Sequence, residues 1–326
     1  FIRASLVELD ADIRSLSANA HAGLIVLHAV ASDAVPRLAQ GLRVNAVFAA
    51  HDYEPQAIAR DQAVAEALQA CGIAFLTCKD HVVFERREIL TQGGNPYGVF
   101  TPYLRNWLTR LAQEPPRVEP TTAPWHAMAA RTESHARAVP TLAELGFSTI
   151  ETDGYRIPSG TTGANQLLSD FAQRMDVYDQ SRNYPAVKGP SYLGVHLRFG
   201  TLSIRQAVAM AWQRHQRGST GATVWLSELA WRDFYFQILA NFPHVAHAAF
   251  KPEYDRIIWE SGERAKDLFA AWCDGKTGYP LVDAAMLQLN QTGYMHNRLR
   301  MVAGSFLVKH LGIDWRWGER YFAEKL

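Results

Sequence analysis

The stretch "VNAVFAAHDYEPQAIARDQAVAEALQACGIAFLTCK" (44–79) decides the fold of the first part of the chain. Its ends, "VNAVFAA" and "IAFLTCK", are short apolar runs of strand length, and residues 55–70 between them carry a helical pattern. Upstream, "GLIVLHAV" (23–30) reads as a further strand and residues 33–40 as a further helix. Strands alternating with helices predict a parallel sheet covered by helices, so residues 1–112 are expected to form a doubly wound α/β domain. The chain opens in an amphipathic helical pattern, with Leu6, Leu9, Ile13 and Leu16 spaced by three and four. Neither GxGxxG nor GxxxxGK[ST] occurs here, which excludes the two common phosphate-cradling loops.

Residues 113–154 change composition. "EPPRVEPTTAPW" and "HARAVPTLAEL" hold five of the 15 prolines and precede the acidic turn "IETDGY", as a connection between domains would. From residue 155 strand-like alternation gives way to long helical patterns: "TGANQLLSDFAQRMDVY" (162–178), "SIRQAVAMAWQRHQ", "ATVWLSELAWRDFYFQILANF", "PLVDAAMLQLNQ" and "RLRMVAGSFLVKHL". The second domain, 155–326, is therefore expected to be all-helical.

With 326 residues and 48% hydrophobic content the chain can build a core in each domain. Its longest apolar run, "AGLIVLHAVA", is too short to cross a bilayer, which needs roughly 20 residues, so no membrane partner and a cytoplasmic location are expected. Cys71, Cys78 and Cys273 form no CxxC pair; they are expected to be buried free thiols, with no metal site. Net charge is +1, yet residues 1–150 hold 13 Lys and Arg against 15 Asp and Glu, while residues 151–326 hold 20 against 17. A polyanion would prefer the second part.

Three segments of that part carry chemistry. In "VWLSELAWRDFYFQ", Glu228, Trp231, Arg232 and Tyr235 share one helix face beside Trp225. The spacing suits an intrahelical Glu228–Arg232 pair among core aromatics, or a pocket for a stacked heterocycle. In "TGYMHNRLRM" (292–301), Asn297, Arg300, Met301 and Gly304 occupy one face, and Leu299, Val302 and Phe306 the opposite one. A buried Asn and Arg would need a carboxylate or a ligand as partner. In "YDQSRNYPAVKGPSYLGVHLRFG" (178–200), Ser191 stands where it could cap a helix start suited to phosphate.

Together, "YDQSRNYPAVKGPSYLGVHLRFGTLSIR", "WLSELAWRDFY", "AWCDGKTGYPLVDAAM" and "TGYMHNRLRMVAGSFLVKHLGIDWRWGERYF" resemble the photolyase and cryptochrome flavoproteins, above all the bacterial class I cyclobutane pyrimidine dimer photolyases. "DYEPQAIARD" and "PYGVFTPY" resemble the antenna domain of that family. The resemblance implies FAD in the helical domain, held by Tyr178, by Ser191, Tyr192, Leu193 and Gly194, by Trp225, Glu228 and Arg232, and by Arg300. Where relatives read Thr-Ser-x-Leu-Ser, Pro190 and Gly194 replace the outer hydroxyls, leaving phosphate binding to backbone N–H groups.

It further implies UV-damaged DNA as partner, with Arg182 and Arg298 on phosphates, Trp231 against the flipped dimer, and Glu228, Asn297 and Met301 lining the substrate cavity. Relatives that repair 6-4 photoproducts carry histidine where Met301 stands, which favours the cyclobutane dimer. Catalysis would be electron donation from excited FADH⁻, with Glu228 and Asn297 at the reacting centre and Trp259 and Trp315 as outer and middle members of an electron relay. The innermost relay tryptophan and the acid partner of Arg300 belong to a family segment expected after Leu326, and the first antenna strand to one expected before Phe1, so a monomeric fragment is expected. A second antenna chromophore, folate or deazaflavin, stays unassigned, because Gln56 and Ala57 replace the Asn-Glu of folate-using relatives; Lys251 matches one further contact position. A cryptochrome-like blue-light photoreceptor and a non-functional remnant are the alternatives.

Overall fold

A computed structural model describes residues 1–118, 124–148 and 157–326 of the protein. Pro120 of the predicted connection and its turn "IETDGY" fall in 119–123 and 149–156, outside the described residues. The chain divides into two compact units. One contains 1–148, 158–176 and 191–250; the other contains 177–190 and 251–326.

In the first unit α1 (Ile2–Ser17) leads by an extended segment to α2 (Ala31–Gly41), β1 (Ala46–Ala50), α3 (Pro55–Ala70) and β2 (Ala74–Cys78). The strands pair in parallel, Ala46 opposite Ala74 through Ala50 opposite Cys78. Ala39 of α2, Val64 and Leu68 of α3 and Ile73 form the core beneath them, joined by Val47 and Phe75. The strand–helix–strand reading of 44–79 is thus realised as two strands and one covering layer. Across the sheet Phe48 is 74% exposed, unlike a strand of a doubly covered sheet.

Residues 23–30 form no strand, contrary to expectation. The start of the run is engaged elsewhere: the Leu24 N–H donates to Asp10 at 2.8 Å and the Leu24 carbonyl accepts from Arg131 at 3.0 Å. An apolar run specifies burial, and these bonds lead the backbone along α1 instead of into a ladder. Gly23, at φ 142°, is required at this crossing, since a Cβ would lie 2.4 Å from the Asp10 carboxylate. Two of the three cysteines also depart from expectation. Cys71 caps α3 and Cys78 ends β2, both exposed, and only Cys273 is buried.

α4 (Phe100–Gln113) follows, then α5 (Gly160–Ala172), whose first N–H groups are met by α1: Gly160 donates to Ser5 and Thr162 to Glu8. The helical pattern read to residue 178 ends in α5 at Ala172, with a 3₁₀ turn at Met175–Val177 and a short α6 (Tyr178–Ser181) beyond. α7 (Gly194–Phe199), α8 (Ile204–Gln216) and α9 (Thr220–Asn241) complete the unit. Ser203 and Ser219 cap α8 and α9 through their hydroxyls, as helix starts require. α9 buries Ala222, Trp225, Leu226, Leu229, Ala230, Phe234 and Ile238, which recur at the spacing of one helix face.

The second unit holds α6, α10 (Gly262–Cys273), α11 (Pro280–Thr292), α12 (Asn297–Lys309) and α13 (Trp315–Lys325). Its core is Trp272, Met286, Leu289, Leu299, Phe306, Leu307 and Ile313. The packed face predicted for α12 is present in Leu299 and Phe306, but Val302 is 37% exposed and Ala303 and Leu307 take its place.

Candidate flavin and DNA site

On α9, Ala222, Trp225, Leu226, Leu229, Ala230, Asp233 and Phe234 are buried, whereas Glu228, Trp231, Arg232 and Tyr235 form the more open stripe. The predicted face is therefore the one not given to core. Trp225 lies behind it, packed on Phe171 at 4.8 Å between ring centroids. Arg232 does not turn to Glu228. Its guanidinium donates to the carbonyls of His81 and Leu197, the latter at 3.1 Å, and lies over the Phe236 ring at 4.7 Å. Among the described residues it has no salt bridge, and burial lowers its pKa below the usual arginine value.

Asp233, between Arg232 and Phe234, was not singled out in the sequence and is fully buried. One carboxylate oxygen accepts the Val83 and Phe84 backbone N–H groups, each at 3.1 Å, and the Trp107 indole N–H at 3.0 Å. Burial pushes its carboxyl up to about 6, against the opposing pull of the Trp107 and Phe84 donors and the Arg232 charge. Its spacing of seven, four and three from the buried Leu226, Leu229 and Ala230 puts an acid on the core face, a signal that could have found it.

The segment Ser191–Gly194 precedes α7. Ser191 was expected to cap that helix, yet the cap position is Leu193, and the Ser191 hydroxyl accepts the Leu193 N–H at 3.4 Å. The departure follows from Tyr192, whose positive φ of 59° turns the chain before the helix can start. A Cβ on Gly194 would meet nothing within 4 Å, so this turn faces open space.

In the second unit Tyr178 is buried, with the Arg182 guanidinium 5.3 Å from its ring centroid. Arg298 donates through Nε and Nη2 to the Asn183 side-chain oxygen at 3.1 and 2.7 Å, and its Nη1 lies 3.4 Å from Met301 Sδ. Asn183 was missed in the sequence. Asn297 was read as buried; it is exposed, because as first residue of α12 it stands at the open helix end. Met301 is 55% exposed beside it. His296 caps α12, its Nδ1 accepting the Arg298 N–H at 3.2 Å. Burial, then the charges of Arg298, Arg182 and Arg300, lower its pKa, so it is a neutral cap. Arg300 donates to the Met295 carbonyl at 3.0 Å and, among the described residues, enters no salt bridge.

Trp259 and Trp315 lie on adjoining segments of this unit. The Glu260 N–H donates to the Gly312 carbonyl at 2.9 Å, and Arg316 joins Asp255 to Asp314 while lying 4.7 Å over the Trp315 ring. Lys251 is exposed.

Residues 225–326 match the family profile described as the FAD binding domain of DNA photolyase, and residues 1–122 that described as DNA photolyase. The deoxyribodipyrimidine photo-lyase of Vibrio cholerae is 39% identical over 98% of this chain and 68% of its own length. The chain belongs to the DNA photolyase family. The corresponding enzyme of Synechococcus is 38% identical over 93% of this chain, which spans 63% of it. Among solved structures, a class III photolyase from Agrobacterium tumefaciens superposes with a TM-score of 0.81 at 28% identity, over 99% of this chain and 67% of that one. An archaeal photolyase from Sulfolobus tokodaii, described with two FAD molecules, gives 0.77 at 33% identity, over the whole of this chain and 67% of that one. The antenna-type and FAD-binding regions expected from the sequence are those of the family.

Proposed function

We propose that this chain carries the light-driven repair of cyclobutane pyrimidine dimers in DNA, as a monomer in the bacterial cytoplasm. Its antenna domain would occupy residues 1–112, a connection 113–154, and the helical FAD-binding domain 155–326. Among the described residues no helix is long and apolar enough to cross a membrane.

The observation that carries the reading is the open face of α12, where exposed Asn297 and Met301 lie beside Arg298, whose guanidinium is already oriented by Asn183. A soft thioether, an amide and an oriented cation on one helix end suit a damaged base pair turned out of its stack with its phosphate attached. Photolyases are among the enzymes that extrude their target bases. Trp231 supplies the stacking wall, Glu228 and Asn297 face the reacting centre, and Arg182 and Arg298 take phosphates.

The residues present fit FAD. Arg232 and Arg300 are partly buried cations bonded to carbonyl oxygens and, among the described residues, joined by no salt bridge, so an approaching anion such as a diphosphate would stabilise them. With Tyr178, Trp225, Glu228 and the backbone of Ser191, Tyr192, Leu193 and Gly194 they would hold the cofactor. When bound, reduced FAD supplies a light-released electron to the dimer and recovers it after the ring splits. Trp259 and Trp315 would pass electrons inward for flavin reduction. No residue set assigns a second chromophore.

The test is a duplex containing one thymine dimer, illuminated with blue light in the presence of the chain and reduced FAD. Repair should restore the absorbance of the separated thymines. An intact dimer while reduced flavin is demonstrably bound would overturn the repair reading.

A further inference from the structure

We propose that Phe100 is a positioning residue for Trp231, holding the indole by one face so that an extruded pyrimidine dimer can take only the other. The inference rests on the reading of Trp231 as the stacking wall. Its basis is the pairing of the two rings, with centroids 3.5 Å apart and planes 10° from parallel. Aromatic pairs commonly sit 4.5 to 7 Å apart, so this face is in full contact and leaves no room for a base.

Phe100 cannot swing aside, because its helix is fixed to α9 on both sides of it. Phe100, Tyr103, Trp107 and Leu111 follow at intervals of three, four and four, one face of α4, and the last three are at most 1% exposed. Tyr103 meets Phe234 at 5.2 Å, and the Trp107 indole donates to Asp233. Before Phe100, the Tyr97 carbonyl accepts from Gln237 of α9 at 2.8 Å. Phe234 presents an edge to both stacked rings, 5.6 Å from Phe100 and 5.5 Å from Trp231, closing a third side.

Tyr235 is the contrasting neighbour. It lies 22° from parallel to the indole at 5.4 Å and is 63% exposed. Among the described residues its ring contacts are with Trp231 and Phe234 and none with Phe100. It is the side chain that can slide away when a base arrives, while Phe100 keeps the indole from tilting with it.

The experiment compares affinity for a duplex bearing one thymine dimer with affinity for the same duplex undamaged, in Phe100→Ala, Phe100→Leu, Phe100→Tyr and Trp231→Ala. Alanine and leucine at 100 should reduce dimer affinity about five- to tenfold, part of the stacking contribution of one base, and leave undamaged affinity unchanged. Leucine keeps the core filled, so its loss separates a missing flat face from poor folding. Tyrosine, which keeps the ring, should restore the wild-type ratio. Full discrimination in Phe100→Leu, in a protein where Trp231→Ala has lost it, would overturn the role of Phe100 alone. Full discrimination in Trp231→Ala as well would remove the stacking wall itself.

Discussion

α9 and α12 present their proposed site residues in opposite ways. On α9 the indole of Trp231 is held by Phe100 and Phe234, with the exposed Tyr235 beside it, over a buried acid that ties neighbouring backbone to the helix. On α12 the corresponding groups, Asn297 and Met301, stand in the open, and the nearby cation is held by a single amide oxygen. The difference fits what each is proposed to recognise. A stacked ring tolerates little tilt, so its wall is built from interlocked aromatics. A phosphate contact fixes register over a flexible backbone, and a long cation with one polar guide suffices.

The strongest way to break the contrast is at Asp233. In Asp233→Ala the N–H groups of Val83, Phe84 and Trp107 lose their common acceptor inside the core, and unfolding in urea should show a loss of about 3 to 5 kcal/mol. An effect below about 1 kcal/mol would mean that the acid does not fasten α9. Asp233→Asn sharpens the point through pH. Burial raises the carboxyl to about 6 in the folded chain, above its unfolded value near 4. The proton is thus held more tightly when folded, and the stability tied to it, full below pH about 4, is lost as pH rises through about 6. Relative to Asn, the wild type should weaken by about 3 kcal/mol between pH 4 and 7, then stay level. A flat difference over that range would show that Asp233 does not titrate with folding.

Much of this was legible in residue order. The period of 44–79 gave both strands and the helix between them, and the spacing of Glu228, Trp231, Arg232 and Tyr235 gave the open stripe of α9. Periodicity failed where a tertiary bond decided the outcome. Residues 23–30 have the composition of a strand, but the Asp10 carboxylate and Arg131 claim Leu24 at the start of the run. Ser191 is a good capping residue, yet Tyr192 turns the chain before it can cap. Asn297 was placed on the correct helix face and with the wrong burial, because face is a matter of angle while burial at a helix end depends on what the adjoining chain covers. Phe100, Asp233 and Asn183 escaped notice since each acts on a residue 115 to 150 positions away, a relation that local pattern does not encode.

Below Asp233 in expected effect stands the stacking wall. Trp231→Ala should weaken dimer binding by about 1 to 3 kcal/mol, read from titration of a dimer-containing duplex, and leave undamaged DNA as before. Equal losses on both duplexes would assign the indole to the core of α9.

The smallest effect tests the α12 side, and separates charge from guidance. Arg298→Ala or Arg182→Ala removes a cation, so the dependence of log affinity on log salt should become shallower by about one counterion. Asn183→Ala leaves both cations in place and removes only the oxygen that accepts Arg298 Nε and Nη2 at 3.1 and 2.7 Å. Affinity should fall by about 0.5 to 1.5 kcal/mol, the net value of such hydrogen bonds, while the salt slope stays as in the wild type. The two readouts are independent: the slope counts ions released, and the intercept carries the entropy of ordering a long side chain. A reduced slope in Asn183→Ala would mean that an unguided Arg298 no longer reaches the backbone at all, making the guide as decisive for α12 as Phe100 is for α9. An unchanged affinity would mean that Arg298 finds its phosphate unaided, and that α12 differs from α9 more deeply than its exposed surface suggests.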